Sequence, residues 1–317
     1  MRAKTQQVKQ KSTFFEYFKM HKMLYIMVIP MIVYFLIFNY YPMLGIQLAF
    51  KDWNPWKGIW GSPWAATDGR LDLFKHFKAL FENPQFWQKF GNTLRISVLK
   101  TLVGFPAPII VALLLNEMKG MVFKRTVQSI SYLPHFVSWV IISGILISMA
   151  SADSDFELFL EKVIGRQVYF FNDDYAFLFI VVASDVWKSV GWGTIIYLAA
   201  LSGVPPELYE AAEIDGAGRW KKMRYITLPS IVPAVSIKFI FELSGLTSAG
   251  FDQIFNMYNT TVYSTGDILE TYLYRRGIIG GNYDLSTALG LFNSAIALTL
   301  TIIANKIVHK MGGEGIW

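Results

Sequence analysis

Hydrophobic residues in this chain are gathered into long runs that contain no Asp, Glu, Lys or Arg. The clearest are Met23–Phe50, Thr126–Ala152, Ser189–Pro206 and Leu285–Asn305. Each run reaches the length of roughly 18 residues at which an apolar stretch is read as a candidate membrane-spanning helix. A helix satisfies its backbone hydrogen bonds internally, as the hydrocarbon interior requires. The pattern therefore predicts an all-α, polytopic membrane protein.

Six spans are predicted when these runs are measured against the roughly 20 residues that cross a bilayer. They lie near residues 23–43, 94–116, 127–149, 176–201, 230–250 and 286–308. We interpret residues 1–22 as a basic tail and residues 23–317 as one transmembrane domain. The apolar run after the tail is longer than the core of a signal peptide, and no small-x-small cleavage site follows it. The first helix is therefore expected to remain as an anchor.

The basic residues favour one orientation of these spans. With the amino terminus in the cytoplasm, the inner segments hold 15 Lys and Arg in 67 residues, whereas the outer segments hold 10 in 106. This excess on the inner side is what the positive-inside rule requires. Both termini are therefore expected to be cytoplasmic.

Composition narrows the classes of function. The chain is 53% hydrophobic and 16% charged, whereas a soluble domain has roughly 25% charged residues. It contains no cysteine, which excludes disulfides, thiolate catalysis and metal sites built on Cys. The four histidines are scattered along the chain, so no metal site is predicted. The net charge of +6 comes from residues beside the apolar runs, so nucleic acid is not an expected partner.

One polar segment, residues 203–229 between the fourth and fifth spans, has the features of a short surface helix. Pro205 and Pro206 suit a first helical turn, and Glu207 places negative charge at the positive end of the helix dipole. Gly216 and Gly218 allow the backbone to reverse where the helix ends. The face formed by Leu208, Ala211 and Ala212 is small and apolar, and we expect it to enter a groove on another protein.

This segment resembles the EAA loop of the membrane subunits of ATP-binding-cassette importers. The positions that carry the resemblance are Glu210, Ala211, Ala212, Asp215, Gly216, Ala217, Ile226, Leu228, Pro229 and Pro233. Other stretches, such as Ser131–Phe136 and the terminal Gly312–Trp317, are similar to the carbohydrate-uptake branch of that family and to its oligosaccharide and polysaccharide permeases, which include alginate and pectin-fragment importers. The resemblance implies a cytoplasmic coupling helix, with Glu210, Ala211, Ala212, Asp215, Gly216, Ala217, Leu228 and Pro229 as the residues that couple it to an ATPase.

The resemblance also implies a set of partners in a bacterial plasma membrane. These are a second homologous permease subunit, two ATPase subunits and an extracytoplasmic sugar-binding protein. The chain has no phosphate-binding loop of the Gly-x-x-x-x-Gly-Lys-Ser/Thr type, so it is expected to be a transport subunit rather than an enzyme. It is expected to need no cofactor, and its partner subunits are expected to bind ATP and Mg²⁺.

Charged and aromatic residues inside the spans are candidates for the path of the cargo. Charge at the bilayer centre is costly, by roughly 2.5–3.5 kcal/mol on insertion scales. The candidates are Asp185, Trp187, Lys188, Trp192, Lys238 and Glu242. The spacing also allows Asp185 to pair with Lys188, and Lys238 with Glu242, within one helix. A lysine can instead meet an anionic sugar. Lys100 is interpreted as a snorkelling residue near a membrane interface.

Two other mechanisms compete with an ATP-driven sugar importer. A gradient-driven secondary transporter would show inverted repeats or broken helices at the midplane, and neither is evident in the sequence. A membrane-embedded enzyme would need a convergent nucleophile, acid–base pair or metal site, and none is indicated. A permease for another kind of solute remains open, because the coupling motif reports the source of energy rather than the cargo.

Overall fold

Long apolar sequences produce long helices in the computed structural model, which describes residues 19–118, 120–151, 154–165, 167, 169–313 and 315–317. The basic tail predicted at residues 1–22 lies mostly outside the described residues. The α-helices are α1 Lys22–Phe35, α2 Gly58–Gly61, α3 Lys75–Phe81, α4 Pro84–Gly104, α5 Pro106–Glu117, α6 Met121–Tyr132, α7 Trp139–Met149, α8 Asp155–Ile164, α9 Asp174–Ser202, α10 Pro206–Ile214, α11 Arg219–Lys222, α12 Leu228–Ser244, α13 Phe251–Met257, α14 Tyr263–Gly266, α15 Leu269–Leu273 and α16 Tyr283–Lys310.

Tighter and wider helical turns extend several of these helices. The 3₁₀ segments are Tyr41–Phe50, Leu133–Phe136, Gly245–Thr247 and Thr260–Val262, and the π segments are Leu36–Tyr40, Met223–Thr227 and Tyr274–Ile279. The strands β1 Ala66–Thr67 and β2 Arg70–Leu71 form a small antiparallel hairpin. Its turn contains Asp68 and Gly69, both at positive φ, as a two-residue hairpin turn favours.

Five continuous helical runs in the described residues are long and apolar enough to cross a membrane. They are Lys22–Phe50, Pro84–Glu117, Asp174–Ser202, Arg219–Thr247 and Tyr283–Lys310. A sixth span is formed if Met121–Phe136 and Trp139–Met149, which meet at 98°, are counted together. The predicted all-α fold is confirmed, and the third span differs from the prediction because it is bent.

The second span begins at Pro84, ten residues before the predicted start. Asn83 caps this helix, since its side-chain oxygen accepts a hydrogen bond from the backbone N–H of Gln85 at 2.9 Å. Pro84 occupies the first turn, where a missing N–H costs nothing. Polar residues occupy the first turns of this helix, so the apolar run alone did not indicate where the helix begins.

Buried apolar side chains lie mainly in two clusters that join the spans to the segments between them. One contains Ile96, Phe177, Val181 and Ile254, so it connects α4, α9 and α13. The other contains Leu80, Phe86, Leu269, Tyr272 and Leu289, and connects α3, α4, α15 and α16. In contrast, α1 buries none of its side chains against the described residues.

Candidate functional site

The segment between the fourth and fifth spans forms the predicted short helix, α10. Pro206 lies in its first turn and Glu207 follows, where the carboxylate faces the positive end of the helix dipole. The helix is followed by α11 and a π turn that leads into α12, so the chain returns directly to the fifth span. Leu228 and Pro229 are the first two residues of α12.

Gly216 ends α10 in a Schellman motif. The N–H of Ala217 donates to the carbonyl of Ala212 at 2.8 Å, and the N–H of Gly216 donates to the carbonyl of Glu213 at 3.0 Å. This pattern requires a left-handed backbone conformation at the residue that follows the helix cap, and Gly216 has φ +74° there. No neighbouring atom lies within 4 Å of the position that a Cβ would occupy at Gly216. The requirement for glycine here is therefore conformational rather than steric.

The surface of α10 is largely uncovered by the rest of the chain. Glu210, Ala211, Asp215 and Gly216 are exposed, and Ala212 and Ala217 are half-buried. Large apolar side chains around them are exposed as well, and they include Leu208 at 51%, Ile214 at 87% and Trp220 at 81%. These apolar side chains are not covered by the described residues, so they are available to a partner protein.

Two contacts hold α10 against the start of the fifth span. The hydroxyl of Tyr209 lies 3.1 Å from the hydroxyl of Thr227, which is buried. Lys222 forms an ion pair with Glu213 at 3.2 Å. A cleft of about 610 Å³ separates α10 and α11 from Asn116 and Glu117 at the end of the second span. Force applied to α10 would therefore reach α12 through Thr227 as well as through the backbone.

Asp185 does not pair with Lys188, contrary to the prediction. It faces Lys100 of the second span at 3.4 Å. Lys100 also donates to the carbonyl of Ala249 at 2.7 Å and to the side-chain oxygen of Gln253. The interpretation of Lys100 as a snorkelling residue is wrong, because its side chain is 11% exposed and its ammonium is held among three acceptors.

The other predicted pair, Lys238 and Glu242, is confirmed as an ion pair at 2.6 Å. Glu242 and Asp185 line one polar cleft of about 280 Å³ between the second, fourth and fifth spans. Lys100, Ser248 and Gly250 line the same cleft. The fifth span ends here, since Gly245–Thr247 is a 3₁₀ turn and Gly250 has φ +89°.

The remaining path candidates lie elsewhere. Trp187 lines a separate apolar cleft of about 250 Å³ with Phe156 and Phe179. Lys188 donates to backbone carbonyls of the third span, and Trp192 stacks on His135 with ring centres 4.5 Å apart. The six candidates therefore do not form a single site, and only Asp185 and Glu242 share the polar cleft.

Sequence reasoning missed a buried ionic cluster that joins the second span to the segment between the last two spans. The carboxylate of Asp267 is 1% exposed and contacts Arg275 at 2.6 Å and Lys89 at 3.1 Å. Burial opposes the charge on Arg275, but the hydrogen bonds and charges of Asp267 and Tyr258 together outweigh burial and raise the pKa of Arg275 above its ordinary value. Lys89 is 178 positions away from Asp267 in the sequence, so no local spacing could have indicated the contact.

A second missed cluster brings Asp52, His76 and Asp284 together, with ligand atoms within 4.8 Å of one another. Such a group can hold a metal ion, although the sequence predicted none. The carboxylates already have protein partners, since Lys75 contacts Asp52 at 2.8 Å and the N–H of Trp53 donates to Asp284 at 3.3 Å. We therefore interpret the cluster as a junction between α16 and the segment that joins the first two spans.

Membrane-length helices that enclose a polar cleft are an arrangement found in membrane transport proteins. Comparison with known families gives the particular class. The model of the family described as binding-protein-dependent transport system inner membrane component matches residues 104–310. The chain therefore belongs to this family, which confirms the prediction of an ATP-binding-cassette importer permease.

Two curated relatives and two solved structures are similar over almost the whole chain. The Bacillus subtilis (strain 168) protein LplB is 42% identical, with 94% of this chain and 92% of LplB covered. The polygalacturonan/rhamnogalacturonan transport system permease protein YteP of the same organism is 39% identical, with coverages of 93% and 90%. A bacterial ABC transporter involved in the import of the acidic polysaccharide alginate superposes with a TM-score of 0.84 at 38% identity, covering 93% of this chain and 98% of that one.

The second solved structure is a bacterial alginate ABC transporter in complex with an alginate pentasaccharide-bound periplasmic protein. Its chain superposes with a TM-score of 0.86 at 37% identity, and the match covers 96% of this chain and 100% of that one.

Proposed function

We propose that this chain is one of two permease subunits in an importer for acidic oligosaccharides, and that α10 is the helix through which ATPase subunits drive it. The uncovered surface of α10 carries this proposal, because Leu208, Ala211 and Ile214 are left exposed by the described residues and are available to a partner. The family assignment supports it, since the matched family consists of membrane components that work with binding proteins.

The coupling residues divide into those that contact the ATPase and those that shape the helix. Ala211 and Ala212 have short side chains, so a groove on the ATPase can approach the backbone closely. Glu210 and Asp215 are exposed and can accept hydrogen bonds from that groove. Gly216 and Ala217 form the turn, and Leu228 and Pro229 begin the span that receives the motion.

In this mechanism ATP and Mg²⁺ bind to the two ATPase subunits, whose closure moves the two coupling helices together. The spans then alternate between inward-open and outward-open states. Both termini of this chain lie in the cytoplasm, as the distribution of Lys and Arg favours. An extracytoplasmic binding protein delivers the sugar to the outward-open state, which the complex of the similar alginate transporter supports.

The cargo proposal rests on the named relatives and on the polar cleft. The permease YteP and the alginate transporter are named for acidic polysaccharides. We assign the cleft that contains Asp185, Glu242 and Ser248 to the sugar path, because sugar hydroxyls can donate to these carboxylates. A permease for a neutral oligosaccharide is the alternative that this cleft also allows.

A pair of glycine variants tests the role of α10. Gly216→Ala places a side chain at φ +74°, which costs roughly 1–2 kcal/mol. Gly218→Ala is the matched control, because Gly218 has φ −67° and the same open surroundings. We expect Gly216→Ala alone to reduce sugar uptake and ATP hydrolysis stimulated by the binding protein, at unchanged membrane levels. Equal uptake in the two variants would refute the assignment.

A crosslinking experiment identifies the partner of α10. The chain has no cysteine, so Ala211→Cys introduces a unique thiol. We expect it to crosslink to an ATPase subunit in the assembled transporter. Trp56→Cys is the control and should not crosslink, because Trp56 is 95% exposed and lies outside the apolar runs.

Comparing uronate and neutral oligosaccharides as stimulators of ATP hydrolysis then identifies the cargo. Uptake that continues without ATP but stops when the ion gradient is removed would favour a secondary transporter.

A further inference from the structure

The third span is interrupted where two helices meet at 98°. Leu133–Phe136 forms a 3₁₀ turn, Val137 is extended, and Ser138 caps the next helix by accepting a hydrogen bond from the N–H of Ile141 at 3.4 Å. A helix that ends inside a membrane leaves backbone carbonyls without intrahelical donors. The negative end of its dipole lies at the same place. A break of this kind therefore needs a cation or hydrogen-bond donors from another helix.

Lys188 of the fourth span supplies these donors. Its ammonium contacts the carbonyl oxygens of Pro134 at 3.2 Å, His135 at 2.8 Å and Val137 at 2.5 Å. An ammonium has three N–H donors, and three carbonyls face it here. The ring of Trp139 adds a cation–π contact at 5.6 Å from its centre. The hydrogen-bonding capacity of Lys188 is thus fully used by the break.

Two further residues of the fourth span contact the same segment. Gly191 packs so closely that an added Cβ would lie 2.0 Å from the carbonyl oxygen of Ser131. Trp192 stacks on His135 with an angle of 1° between the rings. Because Lys188, Gly191 and Trp192 are spaced i, i+3 and i+4, they form one row on the helix. This row contacts both sides of Pro134.

We propose that Lys188 is a positioning residue that fixes the angle between the two halves of the third span during transport, and that it does not contact the cargo. The proposal rests on the proposed transport function for its effect on uptake, but its effect on the angle is independent of transport. A lysine whose three donors bind carbonyls has none left for a sugar carboxylate. Losing the ammonium would remove this donor from the carbonyls of His135 and Val137, whereas the carbonyl of Pro134 would keep the backbone N–H of Val137 at 3.2 Å.

The angle can be measured directly with spin labels in the assembled transporter in lipid nanodiscs. Val122→Cys in α6 and Ile147→Cys in α7 flank the break, and both side chains are exposed. We expect a narrow distance distribution between the two labels with Lys188 present. Lys188→Met should broaden or shift it, and Lys188→Arg should restore it, because arginine also donates to carbonyls. Lys238→Met removes another lysine from the spans and should leave the distribution unchanged.

Uptake and sugar affinity separate positioning from cargo binding. We expect Lys188→Met to lower the maximal transport rate by about tenfold or more, because all three charge-assisted hydrogen bonds to the break are lost. The sugar concentration at half-maximal rate should stay the same. An unchanged label distance in Lys188→Met would overturn the proposal, as would a raised half-maximal concentration confined to uronate sugars. If no sugar stimulates the complex, the transport function fails while the label distances still test the role of Lys188.

Discussion

The ammonium of Lys100 and the carboxylate of Asp185 lie 3.4 Å apart, on two different membrane spans. Neither residue forms an ion pair with a described residue that is close to it in the sequence. Lys100 also holds the carbonyl of Ala249, where the fifth span has ended. This one lysine therefore joins the second and fourth spans to the segment that follows the fifth span, beside the polar cleft.

Removing Lys100 should be more harmful than removing the charge of Asp185. Lys100→Met leaves a carboxylate, an amide oxygen and a backbone carbonyl without their donor, which we expect to cost about 3 kcal/mol. Asp185→Asn leaves Lys100 with two acceptors and should cost about 1 kcal/mol. The midpoints of thermal unfolding of the purified transporter provide the measurement. A larger decrease for Asp185→Asn would contradict the assigned network.

Gly191 should not tolerate alanine. The added Cβ would meet the backbone of Ser131, which cannot move aside as a flexible side chain can. We expect Gly191→Ala to cost about 1–3 kcal/mol through overpacking and to reduce uptake. Gly144→Ala is the control, because Gly144 lies in α7 with no atom within 4 Å of its Cβ position. This variant should be as stable as the natural chain or slightly more stable. Thermal unfolding and transport assays of both variants test this difference.

Asp267→Asn should destabilise the segment between the last two spans. Arg275 and Lys89 would lose the buried carboxylate that balances their charge, at a cost of about 3–5 kcal/mol. Asp252→Asn is an exposed control in the same region. Hydrogen exchange of residues 263–279 should increase only in the Asp267 variant. Equal protection in both variants would show that the ionic cluster contributes little.

The junction at Asp52 should weaken in acid. Burial raises the pKa of this carboxyl, but the hydrogen bonds from Lys75 and from the N–H of Ala66, with the charges of Lys75 and His76, outweigh it and lower the pKa below 3.8. Its stabilisation is therefore complete above pH 3.8 and is lost as the pH falls through the lower folded value. The difference in thermal midpoint between the natural chain and Asp52→Asn should disappear over that range. A difference that grows in acid would contradict this assignment.

The exposed helix α10 could be predicted from the sequence because its determinants are local. Pro206, Glu207 and Gly216 act on their own helix, so their order along the chain is enough to predict a start, a charged first turn and a left-handed end. The spans were predicted for a related reason, since hydrophobic length alone decides whether a helix can cross a bilayer. Some ends were misplaced, as at Pro84, where polar residues continue the helix, and the bend of the third span was not predicted.

The partners of the charged residues could not be predicted from the sequence in this way. Asp185 and Lys188 are three positions apart and satisfy the spacing for an ion pair, yet each binds a different helix. Lys238 and Glu242 have similar spacing and do pair.

Sequence determined which residues of this protein enter the membrane and where its exposed helix lies, because hydropathy and helix ends depend on neighbours in the chain. Tertiary structure decided which charges meet and where the third span bends, because those outcomes depend on donors brought from distant helices.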